Sequence, residues 1–253
     1  MKKVLICAAM PQELKFIRRN LSKTKGEKRS YGAVFSTLTN SAEVTLLRTG
    51  VGTINAESSI KSLLRKLHPD LIMSLGFGGA LYEGLVAGDL IWASRVFFLR
   101  TPLAGREPTE ISHISLPEAK KIADKIPGSI FYREGCIVTL EHFMGKHEIR
   151  KSLPDGVSFP VCDMETFVLA KTAMERRIPF FAARSVSDTA SQEIPRELFD
   201  ITDEWGNIAY LSLIKSVLQK PGLAKDVLLL EKNSLKAAKS LAAIVKSFLD
   251  TVA

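Results

Sequence analysis

Three layers of an α/β fold, helices on both faces of a mainly parallel, twisted central sheet, are predicted by the order of segments along this 253-residue chain. Two observations carry that expectation. Continuous apolar runs such as Lys3–Ala9 (KVLICAA) and Leu71–Leu75 read as strands covered on both faces rather than half-exposed ones. Segments of helical period alternate with them along the chain, which is the signature of a layered α/β sheet.

The elements follow in order. Pro11 stops the first strand, and Gln12–Asn20 reads as a helix. Tyr31–Thr39 and Glu43–Arg48 read as paired strands around the turn Asn40-Ser41. Gly50-Val51-Gly52 makes a tight turn into a helix over Asn55–Leu67, ended by His68-Pro69-Asp70. Leu71–Leu75 is a buried strand running into Gly76-Phe77-Gly78-Gly79-Ala80, and Gly88–Phe98 is the next strand. Thr101–Pro117, with three prolines, reads as a loop and a mobile flap. Ile130–Thr139 and Val157–Cys162 read as strands, with a short helix at Gly145–Lys151 between them. Thr166–Arg177 is a helix, Phe180–Val186 a strand and Glu204–Leu218 a helix. A helical tail runs from about Gly222 to the end. Neither an internal repeat nor a linker is visible, so one domain over residues 1–253 is expected.

Composition narrows the class. Hydrophobic residues make up 46% and charged residues 25%, ordinary for a globular chain with a substantial core. No apolar run is long enough to span a bilayer. The start, MKKVLICAAMPQEL, is basic then apolar, but the apolar part is too short for a signal peptide and reads as a buried strand. Cys7, Cys136 and Cys162 lie in strand-like runs without paired spacing, which fits reduced thiols in a cytoplasm and no metal site. The net charge is +8 and the pI about 9.4, yet the basic residues are dispersed. The run Lys23–Arg29 and the tail lack interleaved aromatics, so a solvated surface is expected and no nucleic-acid partner. An anionic membrane surface or small anionic substrate stays open.

The chemistry concentrates between Pro160 and Ala190. Asp163-Met164-Glu165 closes one strand and Ser187-Asp188 the next, with a helix of about three turns between. Both acidic groups therefore meet at the carboxyl edge of one sheet, where open α/β sheets bind ligands. A carboxylate there can accept from a vicinal diol and stabilise positive charge at an anomeric carbon. It can also protonate a leaving group. Each position has a plainer reading: Glu165 as a first-turn residue favoured by the helix dipole, Asp188 as a helix N-cap.

The order of features resembles the nucleoside phosphorylase superfamily, on the branch of the methylthioadenosine/S-adenosylhomocysteine nucleosidases. It runs from the strand ending in Ala9-Met10-Pro11-Gln12-Glu13, through Gly50-Val51-Gly52 and Ser74–Ala80, to Glu141–Met144, Asp163–Thr166 and Ser187-Asp188. The resemblance covers Met1 to about Leu218. It implies a phosphorylase/hydrolase-like fold, and Glu165 gripping the 2′- and 3′-hydroxyls with Met164 packing on the sugar. Asp188 then protonates or hydrogen-bonds purine N7, and Glu13, otherwise an exposed residue opening the first helix, activates water. Phe143 and Met144 stack on the base or else pack in the core. Phe77, Gly78 and the other glycines bring backbone close to the ligand. No cofactor is implied, though phosphate stands as a co-substrate. A homodimer is implied, because these nucleosidases usually complete each site with the neighbour's residues.

Two departures shape the expected activity. Hexameric purine phosphorylases carry a phosphate-binding arginine and serine where this chain has Ser74 and Phe77, and their Gly-Asp-Pro-x-Arg loop is missing. Arg48 and Arg184 are the remaining candidates for a phosphate or charge partner. The wording Val161–Phe167, with Ser185–Asp188 and the basic helical tail, is similar to the hopanoid-associated phosphorylase-like proteins. That similarity implies adenosylhopane as substrate, peripheral contact with a membrane or lipid-linked substrate, and a mouth lined by Val96–Leu99; core packing is the plainer reading of those residues. The expected reaction is cleavage of the N-ribosidic bond of a purine nucleoside, chiefly an adenine one, by water or phosphate. The alternative is a catalytically silent nucleoside binder on the same fold. A dinucleotide-binding oxidoreductase is the weakest reading, because Asn55 stands where the third glycine of the fingerprint belongs.

Overall fold

The computed structural model describes residues 1–21, 24–100, 107–112, 114, 116, 119–194, 198, 203–207, 209 and 219–252. Its elements run β1 (Lys2–Ala8), α1 (Pro11–Asn20), β2 (Lys25–Arg29), β3 (Gly32–Leu38), β4 (Ala42–Arg48), α2 (Thr53–Leu63), β5 (Leu71–Ala80) and β6 (Leu90–Leu99). There follow β7 (Thr109–Ser112), α3 (Ala119–Asp124), β8 (Tyr132–Leu140), α4 (Lys146–Lys151), β9 (Val161–Asp163), α5 (Thr166–Glu175), β10 (Phe180–Asp188) and α6 (Leu223–Val252).

The three layers are as the segment order implies. Leu14 and Ile17 of α1, Ile122 of α3 and Leu241, Ile244 and Phe248 of α6 pack one face of the sheet. Ala56 and Ile60 of α2 and Phe167, Leu169 and Ala173 of α5 pack the other. The sheet is mixed, with its central ladders mainly parallel and antiparallel strands among and beside them. Parallel pairs join β1–β4, β1–β5, β5–β10, β6–β8 and β8–β9. Antiparallel pairs join β2–β3, β3–β4, β5–β9, β6–β7 and β6–β10. Because β10 pairs with both β5 and β6, the strands β5–β10–β6–β8–β9 close on themselves, and β1–β4–β3–β2 extend from β5. An apolar run reports burial on both faces but not strand direction, so it does not mark the antiparallel pairs β5–β9 and β6–β10.

Other differences have local causes. All five residues of β2 are exposed, so the strand forms by backbone pairing with β3 and carries no apolar alternation. A charged edge strand of this kind discourages further pairing. Part of the Thr101–Pro117 loop is strand β7, held by β6, while residues 101–106 lie outside the described residues. Only Val161–Asp163 of the expected Val157–Cys162 strand forms; Phe159 has φ of 42° and Pro160 has no N–H to give a ladder. Glu204 does not open a helix: Asp203 Oδ1 accepts from the N–H groups of Trp205 (2.9 Å) and Asn207 (2.8 Å), closing a turn through Gly206. The rest of that expected helix lies outside the described residues, Ala209 excepted. Phe97 and Phe98 are buried, Phe98 stacked on Phe167 at 4.9 Å, so they pack in the core and line no mouth.

The helix α6 is seated on α1, α3, β5 and β10, and Phe248 is 1% exposed. We expect Phe248→Ala to cost ~3–5 kcal/mol. At about 2–4 °C per kcal/mol for a chain of this size, thermal denaturation should show Tm lower by roughly 10 °C.

Candidate active site

Strand register assembles the site. In the β5–β9 ladder Gly79 faces Cys162, in β8–β9 Thr139 faces Asp163, and in β5–β10 Gly79 faces Asp188. The ends of β5, β8, β9 and β10 thus meet at one rim, which walls a cavity of about 300 Å³. The three candidate carboxylates Glu13, Glu165 and Asp188 all line it. So do Phe77 and Gly78 from β5, Phe143 and Met144 from the segment after β8, and Met164. Phe143 is 40% exposed at the cavity, while Met144 is buried and shared with the core. A larger cleft, about 610 Å³ and walled by Lys15, Arg18 and Arg19 of α1, contains none of the candidate residues.

Each carboxylate is held by backbone donors. Glu13 sits in the first turn of α1, begun by Pro11; its Oε2 accepts from Met10 N–H (2.7 Å) and its Oε1 from Phe77 N–H (2.7 Å). It is therefore a buried helix-capping group reaching into the site, not an exposed one. Burial pushes its carboxyl above the usual range, and the Met10 and Phe77 N–H bonds oppose that. Glu165 Oε1 accepts from Gly52 N–H at 2.7 Å, at the start of α2, where φ of 90° at Gly52 turns the N–H toward it. Burial, reinforced by the Asp163 charge, pushes Glu165 up to about 8. Asp188 Oδ1 accepts from Ser187 Oγ at 2.7 Å.

The glycines of β5 serve the carboxylates and not, as expected, only a ligand. A Cβ on Gly76 would stand 2.7 Å from Glu13 Oε1, and one on Gly79 would stand 2.8 Å from Asp188 Oδ2. A Cβ on Gly78 would meet Arg184 Cβ at 3.1 Å. Bare backbone lets three charged side chains lie against one strand.

Arg184 is committed to the protein. Nε and Nη2 reach Asp163 Oδ2 at 2.9 and 2.6 Å. Nη1 donates to the carbonyls of Ser74 (3.1 Å) and Ala183 (3.0 Å), and Nη2 to Ser74 Oγ (2.9 Å). Four hydrogen bonds and the ion pair with Asp163 commit the guanidinium to the protein, as the charge partner of Asp163 and not a phosphate ligand. Arg48 lies outside the cavity, 5.8 Å from the Trp205 ring. Two functional positions escaped sequence reasoning. Asp163 also accepts from Thr139 Oγ1 (2.6 Å), Thr166 N–H (3.0 Å) and the Thr166 hydroxyl, so it anchors the rim. Lys146, on the cavity wall, pairs with Asp188. A lysine opening a six-residue helix carries no local signal of either burial or partner.

The raised Glu165 has a stability consequence. A carboxyl whose folded pKa exceeds its unfolded value contributes stability below the unfolded value, and loses it as pH rises through the folded one. The stability that the neutral Glu165 carboxyl contributes is therefore lost increasingly between about 4.5 and about 8, as the unfolded chain gains by ionising it. We expect Glu165→Gln to melt higher than the parent at pH 8–9, by roughly 5 °C if ~2 kcal/mol is relieved. The two should converge near pH 4, as followed by thermal melts across pH.

The chain can be set beside known proteins. A 5′-methylthioadenosine/S-adenosylhomocysteine nucleosidase of Staphylococcus aureus is 25% identical over 201 residues, covering 74% of this chain and 87% of that one. Two solved nucleosidases of the same name share the fold. That of Neisseria meningitidis, in complex with methylthio-immucillin-A, has a TM-score of 0.69 at 23% identity, covering 98% of this chain and 100% of its own. That of Colwellia psychrerythraea, in complex with adenine, reaches 0.73 at 20%, covering 99% and 96%. The family model described as the phosphorylase superfamily matches residues 3–219, which takes in every rim element and leaves out α6. The chain belongs to the phosphorylase superfamily.

Proposed function

We propose that this protein hydrolyses the N-ribosidic bond of a purine nucleoside, chiefly an adenine one, releasing the free base. The observation that carries the reading is the convergence of Glu13, Glu165 and Asp188 on one cavity beside the half-exposed face of Phe143. A nucleoside lies with its base on Phe143 and Met144, its ribose against Met164, and its vicinal diol on Glu165. Asp188 gives a proton to N7, so the purine departs as a neutral base. Glu165 balances charge growing at the anomeric carbon. Glu13, fixed by two backbone N–H groups and held above the usual carboxylate range, takes the proton of the attacking water. A silent binder would have no use for three buried carboxylates converging on one cavity, two of them raised by burial.

Water rather than phosphate fits the cations present. Among the described residues, Arg184 is committed to Asp163, Ser74 and Ala183, Arg48 is elsewhere, and Lys146 on the cavity wall is engaged by Asp188 and Thr189. Apolar side chains of the cavity lining, among them Met10, Val51, Leu140, Ile194 and Leu230, suit an apolar 5′ substituent. Leu230 belongs to α6, where Leu228, Leu229 and Leu235 are exposed among lysines. Those features favour, as a second reading, a lipid-linked nucleoside such as adenosylhopane taken up near a membrane surface. The three unpaired cysteines suit a reducing cytoplasm. A homodimer, proposed on the family resemblance, would show as twice the chain mass in light scattering.

The deciding measurement is chromatographic detection of free base from methylthioadenosine, S-adenosylhomocysteine, adenosine and inosine, with and without phosphate. We expect adenine release without phosphate; strict phosphate dependence would overturn hydrolysis. Absence of release from all four, together with release from a lipid-linked adenosine, would establish the second reading. Asp188→Asn should lower kcat by ~10²–10⁴-fold with the fold intact. Since Glu165 balances the charge growing at the anomeric carbon only when ionised, kcat/KM should rise with pH through about 8, and Glu165→Gln should remove that limb.

A further inference from the structure

Lys146 is the buried cation of the cavity wall. It opens α4, is 4% exposed, and its Nζ lies 2.5 Å from Asp188 Oδ2, with side-chain exposures of 5% and 2%. Nζ also donates to the carbonyls of Asp188 (3.4 Å) and Thr189. The Lys146 N–H in turn donates to Glu193 Oε1 at 3.2 Å, across the same cavity. Two of its ammonium protons are thus given to the Asp188-Thr189 backbone, and the charge itself faces the Asp188 carboxylate. Oδ2 of Asp188, by contrast, is buried and forms no hydrogen bond of normal angle, so the contact with Nζ is ionic and an acceptor position on Oδ2 is unused. The bare backbone of Gly79 accommodates both groups: a Cβ there would stand 2.8 Å from Oδ2 and 3.4 Å from Lys146 Cε.

A buried ion pair is costly to desolvate, and packed apolar residues often replace one without loss. A pair kept at the cavity wall, with one partner aimed at the ligand, calls for a chemical reason. We propose that Lys146 is a positioning residue for the acid, holding Asp188 toward the base and offsetting the negative charge left on it when its proton passes to N7. The inference rests on Asp188 being that acid. In the step, Asp188, carrying a proton drawn from solvent, loses its O–H bond as an N7–H bond forms. The C1′–N9 bond breaks with its electron pair going to the purine. The hydroxyl of water joins C1′ while its other proton goes to Glu13. Exchange with solvent then returns a proton to Asp188 and takes one from Glu13, so the sum is nucleoside plus water giving base plus sugar. Lys146 touches no reacting atom and keeps its proton throughout.

The test compares two leaving groups in a mutant cycle. Purine nucleosides need protonation of the base, whereas nitrophenyl riboside expels a leaving group that does not. We expect Lys146→Met to lower kcat on the purine nucleoside by ~10²-fold, with KM changed no more than about threefold, and to cost at least ~10-fold less on nitrophenyl riboside. In the Asp188→Asn background the same substitution should add less than about a threefold loss, because its route to the reaction is already gone. Equal losses on both substrates, multiplying losses in the double variant, or wild-type kcat in Lys146→Met would overturn the proposal. Asp188→Asn alone separates the two failures. If it retains purine activity, the acid assignment falls; if it loses that activity while Lys146→Met does not, only the role of Lys146 falls. Should Lys146→Met not fold, Lys146→Gln, which keeps a donor for the Thr189 carbonyl, takes its place in the same cycle.

Discussion

The Asp163–Arg184 pair is the fixed point around which the rim is arranged. Its guanidinium spans Asp163 on β9, Ser74 on β5 and its own strand β10, with both side chains almost wholly buried. Removing either partner would leave an uncompensated charge in a water-poor site, a loss of ~3–5 kcal/mol. Glu165 lies two residues beyond Asp163, and Glu13 feels the same guanidinium from the opposite side. Among the described residues, four carboxylates, Glu13, Asp163, Glu165 and Asp188, share two cations, Arg184 and Lys146. Burial holds Glu13 and Glu165 above the ordinary range, and the Asp163 charge adds to the shift of Glu165. That shift makes ionisation of Glu165 a burden on the fold.

The sheet makes this crowding feasible. β5 pairs with β1, β9 and β10 along its length, so its glycine-rich end lies at the meeting point of the ring. Glycine in a strand interior weakens the strand. Here it removes the side chains that would collide with Glu13, Asp188 and Arg184, and the weakness is offset by pairing on both sides. The α1 capping arrangement works in the same sense: one carboxylate satisfies a helix-end donor at Met10 and a strand N–H at Phe77, linking α1 to the rim.

Much of the site was legible in the linear order of residues. The acidic triplet and the Ser-Asp pair each end an apolar run, and ligands gather at the carboxyl ends of strands, so Glu165 and Asp188 could be paired without coordinates. Glu13, Phe143 and Met144 were reached only through family resemblance, since an early glutamate or an aromatic beside a methionine has no distinctive pattern. Arg48 and Arg184 were ranked together because both are arginines at strand ends; only their surroundings separate a committed structural cation from one outside the cavity. Strand β2 and helix α3 were missed because exposed strands and single-turn helices leave little periodicity.

By itself the sequence determined the α/β class, the helix-facing stripes and the types of group at the strand ends, because these depend on periodicity and on the chemistry of single residues. The tertiary structure alone decided strand direction and ring closure, which hang on long-range pairing that an apolar run does not encode. It alone also decided which cation belongs to which carboxylate. Lys146 and Asp188 are separated by forty-two positions in the chain and by 2.5 Å in the fold, and electrostatics follows the second distance.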